Sequence, residues 1–316
     1  MSVFTPKIIS VSLNPCIDRG IEVPNFTIGA HQVGAQVFRR PAGKAVNLAC
    51  ALGILKIPTM IVGFIGKGQQ EYFERYLNRD PVACQLFPVP GRTRENITIF
   101  DPVSNVETHI RERGYEVTPA DVGKLRKKLA ILCRKDTLVA FSGSLPPGLS
   151  PEDFIELVQI CQMNEARVCI DASGAVLRAC RPLGCWMIKP NLSELSEMLE
   201  ADVRDPDQII TAGRNLKGTV SITVVTVGKE GAYLFSDSLG LRGQVALDPK
   251  EVKNTVGCGD ALLAGFLASV VEGKSLNDAF AFSLAAATAA AVSITPGTFL
   301  PRDIERFLAQ AQIQPL

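Results

Sequence analysis

Apolar runs of strand length alternate with segments of helical periodicity along most of the chain. The continuous apolar runs predict strands at residues 8–13, 59–64, 138–141, 168–171, 186–188 and 222–227. The periodic segments predict helices at residues 45–55, 122–133, 151–162, 192–199, 261–271 and 279–293. Strands that alternate with helices need crossover connections, which produce a parallel sheet covered on both faces. The pattern therefore predicts an α/β fold with a mostly parallel central sheet.

Two stretches depart from this alternation. Residues 21–38 and 93–111 carry short alternating segments with turns and no helix between them, and residues 96–100 and 106–110 form one such pair. Alternation of this kind favours antiparallel ribbons. We expect the two stretches, about 17–40 and 90–112 with their flanks, to pair as a small β-sheet lid that excludes water from a cleft.

Composition and charge narrow the class of protein. The 316 residues are 47% hydrophobic and 21% charged, with a formal net charge of +1, which is typical of a globular protein and argues against nucleic-acid binding. The alanine-rich segment 279–293 is too short to span a membrane. Nine cysteines without a Cys-x-x-Cys pair indicate neither a disulfide framework nor a zinc site. We expect a cytoplasmic protein with no membrane partner.

The segment 254–260, Asn-Thr-Val-Gly-Cys-Gly-Asp, leads directly into the predicted helix 261–271. The first turn of a helix leaves backbone N–H groups unpaired, and the helix dipole adds positive potential there. Gly257, Cys258 and Gly259 are therefore candidates to bind a phosphate, and Asp260 is placed to take a proton from a hydroxyl. The competing interpretation is an ordinary helix start in which Asp260 acts only as N-cap.

Other polar residues follow predicted strands, where ligands collect in α/β folds. Asp18 follows the first strand, although an aspartate at that place is often only a turn former. Gly43, Lys44 and Asn47 open a helix, with Lys44 and Asn47 about one turn apart and able to face one ligand. This segment is not a Walker loop, and a simple glycine helix start explains it equally.

Arginine and serine candidates lie in two further segments. Arg92, Arg94 and Asn96 fall within the predicted lid, where an arginine fork suits a phosphate, although a solvated edge charge is the alternative. Ser144 lies in Ser-Gly-Ser-Leu-Pro-Pro-Gly after an apolar strand, where small residues let a ligand approach the backbone.

Two segments suggest a nucleotide and its metal. Lys189, Asn191 and Glu194 follow the strand 186–188, and the Asn/Glu pair suits hydrated Mg²⁺, although Asn191 could serve only as a helix cap. Thr226, Gly228 and Gly231 end another strand, where glycines let a base or ribose lie against the backbone. A plain hairpin turn explains those three residues about as well.

Together these segments resemble the ribokinase-like family of carbohydrate kinases, in the branch that phosphorylates sugar phosphates. That branch includes 1-phosphofructokinase, tagatose-6-phosphate kinase and the minor 6-phosphofructokinase. The resemblance runs from residue 13 to at least residue 298, and residues 43–47 and 255–260 are its most specific blocks. It implies a three-layer ribokinase-like fold, with residues 1–316 forming a single kinase domain.

The resemblance also implies a role for each candidate. By similarity, Asp260 is the catalytic base, and the backbone N–H groups of residues 257–260 stabilise the γ-phosphate of ATP. The implied sugar-phosphate contacts are Asp18, Gly43, Lys44, Asn47, Arg94 and Ser144. The implied ATP contacts are Lys189, Thr226, Gly228, Gly231, Gly257 and Gly259, and the residues for hydrated Mg²⁺ are Asn191 and Glu194.

The implied activity is ATP-dependent phosphorylation of a sugar phosphate, with fructose 1-phosphate as the favoured acceptor and fructose 1,6-bisphosphate as the product. Tagatose 6-phosphate and fructose 6-phosphate are the alternative acceptors. A kinase of unphosphorylated sugars or nucleosides would not need Arg94. A non-catalytic regulator that binds nucleotide or sugar phosphate is a further alternative. A Rossmann dehydrogenase is excluded, because no Gly-x-Gly-x-x-Gly follows the first predicted strand.

Several residues depart from the family pattern. Cys258 replaces the usual alanine or serine, and we expect its thiol, at a helix start, to be more acidic than usual. Ala45 replaces a common glycine and could shift Lys44. Gln32 lies near the position where the minor 6-phosphofructokinase carries an extra phosphate-binding arginine, which argues against fructose 6-phosphate. Because a lid sheet exposes one face in a monomer, we also predict a homodimer joined through residues 21–38 and 93–111.

Overall fold

A computed structural model describes residues 5–78 and 81–316. In this part of the chain the strands are β1 (Ile8–Ser12), β2 (Cys16–Glu22), β3 (Ala35–Ala42), β4 (Thr59–Gly66), β5 (Val82–Val89), β6 (Arg94–Asp101), β7 (Val106–Arg111), β8 (Leu138–Ser142), β9 (Arg167–Asp171), β10 (Met187–Ile188), β11 (Ile222–Thr226), β12 (Ala232–Ser236), β13 (Gly240–Val245) and β14 (Ala311–Pro315).

The helices of the same described residues are α1 (Lys44–Ile54), α2 (Gln70–Leu77), α3 (Pro119–Leu132), α4 (Pro151–Met163), α5 (Gly174–Cys180), α6 (Leu192–Leu199), α7 (Pro206–Asn215), α8 (Cys258–Val271), α9 (Leu276–Ala291) and α10 (Pro301–Leu308). Several begin at local sequence signals. Both α3 and α4 have proline in the first turn and a capping box, formed by Thr118 with Asp121 and by Ser150 with Asp153.

The large sheet has ten strands in the order β14-β13-β12-β11-β10-β9-β8-β1-β4-β5. The seven strands from β11 to β5 run parallel, and β12, β13 and β14 continue the sheet antiparallel. All five residues of β1 are buried, as expected for a central parallel strand covered on both faces.

Helices cover both faces of this sheet and make three layers. One core cluster joins the sheet to α3, α4, α5, α6 and α7, through residues such as Leu125 and Leu157. A second cluster joins the opposite face to α1, α8, α9 and α10, through residues such as Leu263 and Phe307. Small residues let α8 and α9 approach closely, since a Cβ added at Gly265 would lie 3.0 Å from the Cβ of Ala286. The predicted three-layer α/β fold is confirmed.

A separate sheet has four strands in the order β3-β2-β6-β7. The strands β6 and β7 form the predicted antiparallel ribbon, and β2 pairs with β6 in parallel. The two stretches that departed from the strand–helix alternation, residues 21–38 and 93–111, therefore do pair.

The alternating pattern also predicted strand structure within residues 23–34, but those residues contain no strand. Pro24 and Asn25, which has a left-handed φ of 55°, end the pairing after β2.

Candidate active site

Helix α8 begins in a turn whose geometry depends on glycine. Gly257 is the N-cap with a φ of 84°, and a Cβ there would lie 2.6 Å from the Cα of Gly297. Asp260 is the third residue of the helix, so it is not the N-cap, and the simple capping interpretation was wrong. Its own N–H donates to the carbonyl of Gly257 at 3.1 Å, so this amide belongs to the helix rather than to an anion site. The amides of Gly257, Cys258 and Gly259 stay as candidates.

Asp260 is buried, with 6% of its surface exposed, and its Oδ2 accepts a hydrogen bond of 2.8 Å from Nδ2 of Asn47. Burial and the nearby negative charge of Asp171 raise the pKa of Asp260 to about 7. The hydrogen bond from Asn47 and the charges of Lys189 and Lys44 act in the opposite direction. A carboxylate in this state is a stronger base than an exposed aspartate.

Asp171, which the sequence analysis did not select, organises the positive charges of the site. It ends β9 and is fully buried, and its Oδ1 lies 2.9 Å from Nζ of Lys44 and 3.2 Å from Nζ of Lys189. Burial alone would raise the pKa of Asp171, but Lys189 and Lys44 outweigh it and hold that pKa below its ordinary value. Although burial opposes it, the pKa of Lys44 is raised by Asp171 and Glu194, so Lys44 stays charged.

Asn191 and Glu194 meet at the start of α6. The Asn191 side chain accepts from the N–H of Glu194 at 2.8 Å, and Glu194 Oε2 accepts from the N–H of Asn191 at 2.9 Å. This capping box is the competing interpretation of Asn191, and it is present. Glu194 Oε1 also pairs with Lys44 at 3.1 Å. Lys44 therefore contacts Asp171 and Glu194, whereas Asn47 contacts Asp260, a carboxylate on which the charge of Lys44 also acts. That the two side chains face one ligand stays a prediction.

Magnesium can be tested against this donor set. Among the described residues, no group of three or more His, Cys, Asp or Glu side chains could hold a metal ion. A caged metal site therefore does not fit, whereas a hydrated Mg²⁺ carried by nucleotide phosphates does. A carboxylate offers about four acceptor positions, so Glu194 retains room for a metal-bound water beyond its two contacts.

The segment 226–231 lies beside Asn191. Thr226 forms a parallel bridge with Asn191, and its N–H donates to the carbonyl of Pro190 at 3.0 Å. Gly228 begins a short turn that joins β11 to the antiparallel β12, so the hairpin interpretation is correct for the backbone. A Cβ at Gly231 would lie 2.0 Å from the carbonyl oxygen of Gly243, so this glycine is required by packing as well.

Asp18 lies on β2 of the small sheet, among polar partners. Its Oδ1 accepts from Nδ2 of Asn96 at 3.1 Å and from the thiol of Cys16 at 3.4 Å. Its Oδ2 is 3.7 Å from Nη2 of Arg40, a buried arginine on β3 that the sequence analysis missed. Gly43 joins β3 to α1 and thereby carries the chain from this group to Lys44 and Asn47.

The two candidate arginines of the small sheet differ. Arg94 donates to the backbone carbonyl of Asn14 at 3.0 and 3.3 Å, and Nδ2 of Asn14 donates to Oγ of Ser144 at 3.3 Å. Arg94, Asn14 and Ser144 thus form one polar group, with Asn14 as a member that sequence reasoning did not single out. Arg92 instead forms an exposed ion pair with Glu112, as the solvated-charge alternative expected.

The expectation of an acidic thiol at Cys258 was wrong. Burial and the charge of Asp260 raise the pKa of Cys258 to about 11, although the thiol stands at a helix start. Desolvation of the thiolate and repulsion by a carboxylate outweigh the helix dipole here. The thiol lies 3.7 Å from the carbonyl of Asn254.

The structure brings most predicted site residues to the carboxyl ends of the parallel strands, beside the small sheet. Asp171, Arg40 and Asn14 were missed. Asp171 and Asn14 each stand at a strand end, a signal that could have selected them, whereas nothing in the local sequence distinguishes Arg40 from Arg39. None of the helices in the described ranges is both long and apolar enough to cross a membrane.

Comparison with known proteins agrees with this architecture. The 1-phosphofructokinase of Rhodobacter capsulatus is 32% identical over 291 residues, covering 89% of this chain and 90% of that protein. The 1-phosphofructokinase of Bacillus subtilis is 28% identical over 294 residues, covering 92% and 94%.

Solved structures show the same fold. Phosphofructokinase-2 from Escherichia coli, crystallised with substrates and products, superposes with a TM-score of 0.88 at 24% identity, covering 96% of this chain and 98% of that one. A family model described as pfkB family carbohydrate kinase matches residues 10–302. The chain therefore belongs to the pfkB family of carbohydrate kinases.

Proposed function

We propose that this kinase transfers the γ-phosphate of ATP to a hydroxyl of a sugar phosphate, with fructose 1-phosphate as the favoured acceptor and fructose 1,6-bisphosphate as the product. The observation that carries the proposal is the buried carboxylate of Asp260 beside the glycine turn at the start of α8. The two relatives named 1-phosphofructokinase support the choice of acceptor.

The chemical step follows from the contacts of Asp260. Its carboxylate accepts the proton of the acceptor hydroxyl as that oxygen attacks the γ-phosphorus, and Asn47 holds the carboxylate in place. The amides of Gly257, Cys258 and Gly259 stabilise charge on the migrating phosphoryl group. Lys189 adds positive charge at the same place, since a Cβ at Gly259 would lie 3.4 Å from its Nζ.

The nucleotide side of the proposed site consists of residues that follow β10, that end or follow β11, and that begin α6. Lys189, Thr226, Gly228 and Gly231 are proposed to contact ATP, and Asn191 and Glu194 to hold the waters of a hydrated Mg²⁺. When bound, Mg²⁺ supplies charge neutralisation of the nucleotide phosphates. Lys44 is fixed between Asp171 and Glu194 and orients both carboxylates. Its own charge is thereby proposed to lie close to the nucleotide phosphates.

The acceptor side divides into hydroxyl and phosphate contacts. Asp18 and Asn96 offer acceptors and donors for sugar hydroxyls, with Gly43 allowing close approach. Arg94, with Ser144 beside it, is proposed to bind the phosphate already on the acceptor, because a guanidinium fork matches phosphate oxygens. Gln32 is engaged within its own loop, where it contacts Thr27 and Asn25 at 2.8 Å, which favours fructose 1-phosphate over fructose 6-phosphate.

The small sheet is proposed to act as a lid and as a dimer interface. The predicted segments carry strongly exposed apolar side chains, namely Ile28, Val33, Val37, Val103, Val106 and Ile110. Apolar groups clustered on one sheet and its connecting loops are typical of protein–protein interfaces. A second copy of the lid would bury them in a two-fold arrangement.

A screen of acceptors tests the proposed function. ADP release is measured with ATP and Mg²⁺ in the presence of fructose 1-phosphate, fructose 6-phosphate, tagatose 6-phosphate or unphosphorylated fructose. The highest kcat/KM should be found with fructose 1-phosphate. A higher value with either 6-phosphate would replace the acceptor, and release with none of the sugar phosphates would contradict the proposal.

A further inference from the structure

Arg40 is an unusual residue for its position. It lies on β3 next to Arg39, yet 7% of its surface is exposed, whereas Arg39 is solvent-accessible and pairs with Glu95 at 2.8 Å. A buried guanidinium carries a desolvation cost that its contacts must offset. Its position in the fold therefore requires an account that the proposed roles of the other residues do not supply.

Within residues 5–78 and 81–316, three side chains contact the Arg40 guanidinium. Nη1 donates to Oδ1 of Asn47 and to the hydroxyl of Tyr76, both at 3.4 Å, and Nη2 lies 3.7 Å from Oδ2 of Asp18. The same Asn47 donates from Nδ2 to Asp260 at 2.8 Å. Arg40 is thus connected to the proposed base through a single amide group.

The chemistry of the groups fixes the direction of this connection. An arginine can only donate hydrogen bonds, so the Asn47 amide must turn its oxygen towards Arg40 and its NH₂ towards Asp260. In the opposite orientation, NH₂ would face the guanidinium and the amide oxygen would face the carboxylate. Ionised Asp260 only accepts, so it favours the same orientation; Arg40 maintains this orientation when Asp260 is protonated and keeps Asn47 from turning its oxygen towards the neutral carboxyl.

We propose that Arg40 is a positioning residue for phosphoryl transfer, which orients the amide of Asn47 so that it stabilises the ionised form of Asp260. This inference rests on the proposed function only in taking Asp260 as the base. Arg40 acts through Asn47, since its contacts within the described part of the chain are with Asn47, Tyr76 and Asp18 and not with Asp260 itself. The charged or titratable groups that face Asp260 directly are Asp171, Lys44, Lys189 and the thiol of Cys258.

The test is the pH dependence of kcat/KM, whose acid limb reports the base of the free enzyme. In Arg40→Met the Asn47 amide can turn its oxygen to accept from protonated Asp260, and this stabilisation of the neutral acid should move the acid limb upward by about one pH unit. The loss in kcat/KM should be roughly fivefold to tenfold at pH 7 and should largely disappear at pH 9. Acceptor phosphate also titrates near pH 6, equally in every variant.

Three further variants make the result specific. Arg39→Met, the matched control, should keep the wild-type limb. Arg40→Lys retains a head group that only donates, and should keep the limb within a few tenths of a unit of wild type. Asn47→Ala should shift the limb as Arg40→Met does, and the double variant should shift it no further. Arg40→Ala replaces Arg40→Met, with the same expected shift, if the methionine variant does not fold.

An Arg40→Met enzyme whose kcat/KM falls equally at all pH values would overturn the proposal, because that result indicates a structural role alone. A limb shifted in Arg40→Lys as far as in Arg40→Met would also contradict it. Wild-type and Arg39→Met turnover report on the proposed function separately. If wild type and Arg39→Met are active and the acid limb of Arg40→Met is unshifted, only the proposed role of Arg40 is overturned. A wild type without turnover on any sugar phosphate overturns both the proposed function and the role of Arg40.

Discussion

Asp260 shows how its neighbours adapt a carboxylate to act as a base near neutral pH. Burial and Asp171 raise its pKa to about 7, against the opposing effects of Asn47, Lys189 and Lys44. A base whose pKa lies near the working pH combines a useful ionised fraction with a strong driving force for proton transfer. The same burial that makes Asp260 basic leaves only 6% of its surface open to solvent.

This shift predicts the pH dependence of the wild-type enzyme. Asp260 must be ionised to accept a proton, so kcat/KM should fall as pH drops through the raised folded pKa and level off above it. Initial rates across pH 5.5 to 9 with saturating Mg²⁺ and ATP should place the acid limb at about pH 7. An acid limb that lies well below pH 7, with no break beyond the titration of the acceptor phosphate near pH 6, would show that the carboxylate is not held as described.

Sequence reasoning selected Asp260 because its signal is local: two glycines, an acid and a helical run stand within a few residues. It missed Asp171 although that residue ends a predicted strand, because its contacts with Lys44 and Lys189 join separate elements and are not visible in the local sequence. Arg40 was missed for the same reason, since its burial depends on Tyr76, Asp18 and Asn47 converging around it. Long-range electrostatics thus formed the part of the site that the sequence did not reveal.

At the scale of elements, the start of α8 depends on the conformation of one residue. Gly257→Ala combines a left-handed φ with a Cβ placed 2.6 Å from Gly297, so the free energy of unfolding should fall by about 2 kcal/mol or more and turnover should drop sharply. Gly273→Ala, with a φ of 77° but open space around its Cβ, is the control and should cost only about 1 kcal/mol. Denaturant unfolding and ADP release measure both effects, and equal behaviour of the two variants would contradict the proposed turn.

The start of strand β6 and the turn before it provide a second matched comparison, between Arg94 and Arg92. Arg94→Ala should raise the KM for the sugar phosphate roughly 10- to 100-fold, because a charged hydrogen-bond donor to phosphate is lost. The KM for ATP should change little. Arg92→Ala removes only an exposed ion pair with Glu112 and should leave both constants near wild type. Steady-state kinetics, with ATP and the sugar phosphate each varied in turn, measure both KM values for the two variants. An unaltered KM for the sugar phosphate in Arg94→Ala would favour an unphosphorylated acceptor.

The elements themselves were predictable where the pattern was strong. The all-buried β1 and the amphipathic α6 were found at or near their observed bounds. By contrast, β14 has no strand-like apolar run, and it becomes a strand because it pairs along β13 at the edge of the sheet. Helix α2 and strand β5 were also missed.

At the scale of the whole molecule, the four-stranded sheet stands beside the strand ends that carry the site, and its exposed apolar residues predict a dimer. Val106 and Ile110 project from the same face of β7, an edge strand. Light scattering should give a mass near twice 34.0 kDa for the wild type. Ile110→Glu should shift the mass to that of the monomer, while Met163→Glu, an exposed site on α4, should not. A monomeric wild type at micromolar concentration would contradict the interface.

The central claim concerns a single proton acceptor, and Asp260→Asn tests it with little change in shape. The substituted side chain keeps an oxygen that can accept from Nδ2 of Asn47, and it removes a charge that is costly to bury. The thermal stability of the variant at pH 8 should therefore be unchanged or higher. The decisive measurement is kcat of this variant with ATP, Mg²⁺ and the best sugar phosphate. The account predicts a fall of about a thousandfold or more in the folded variant. Turnover within a few-fold of wild type would contradict it.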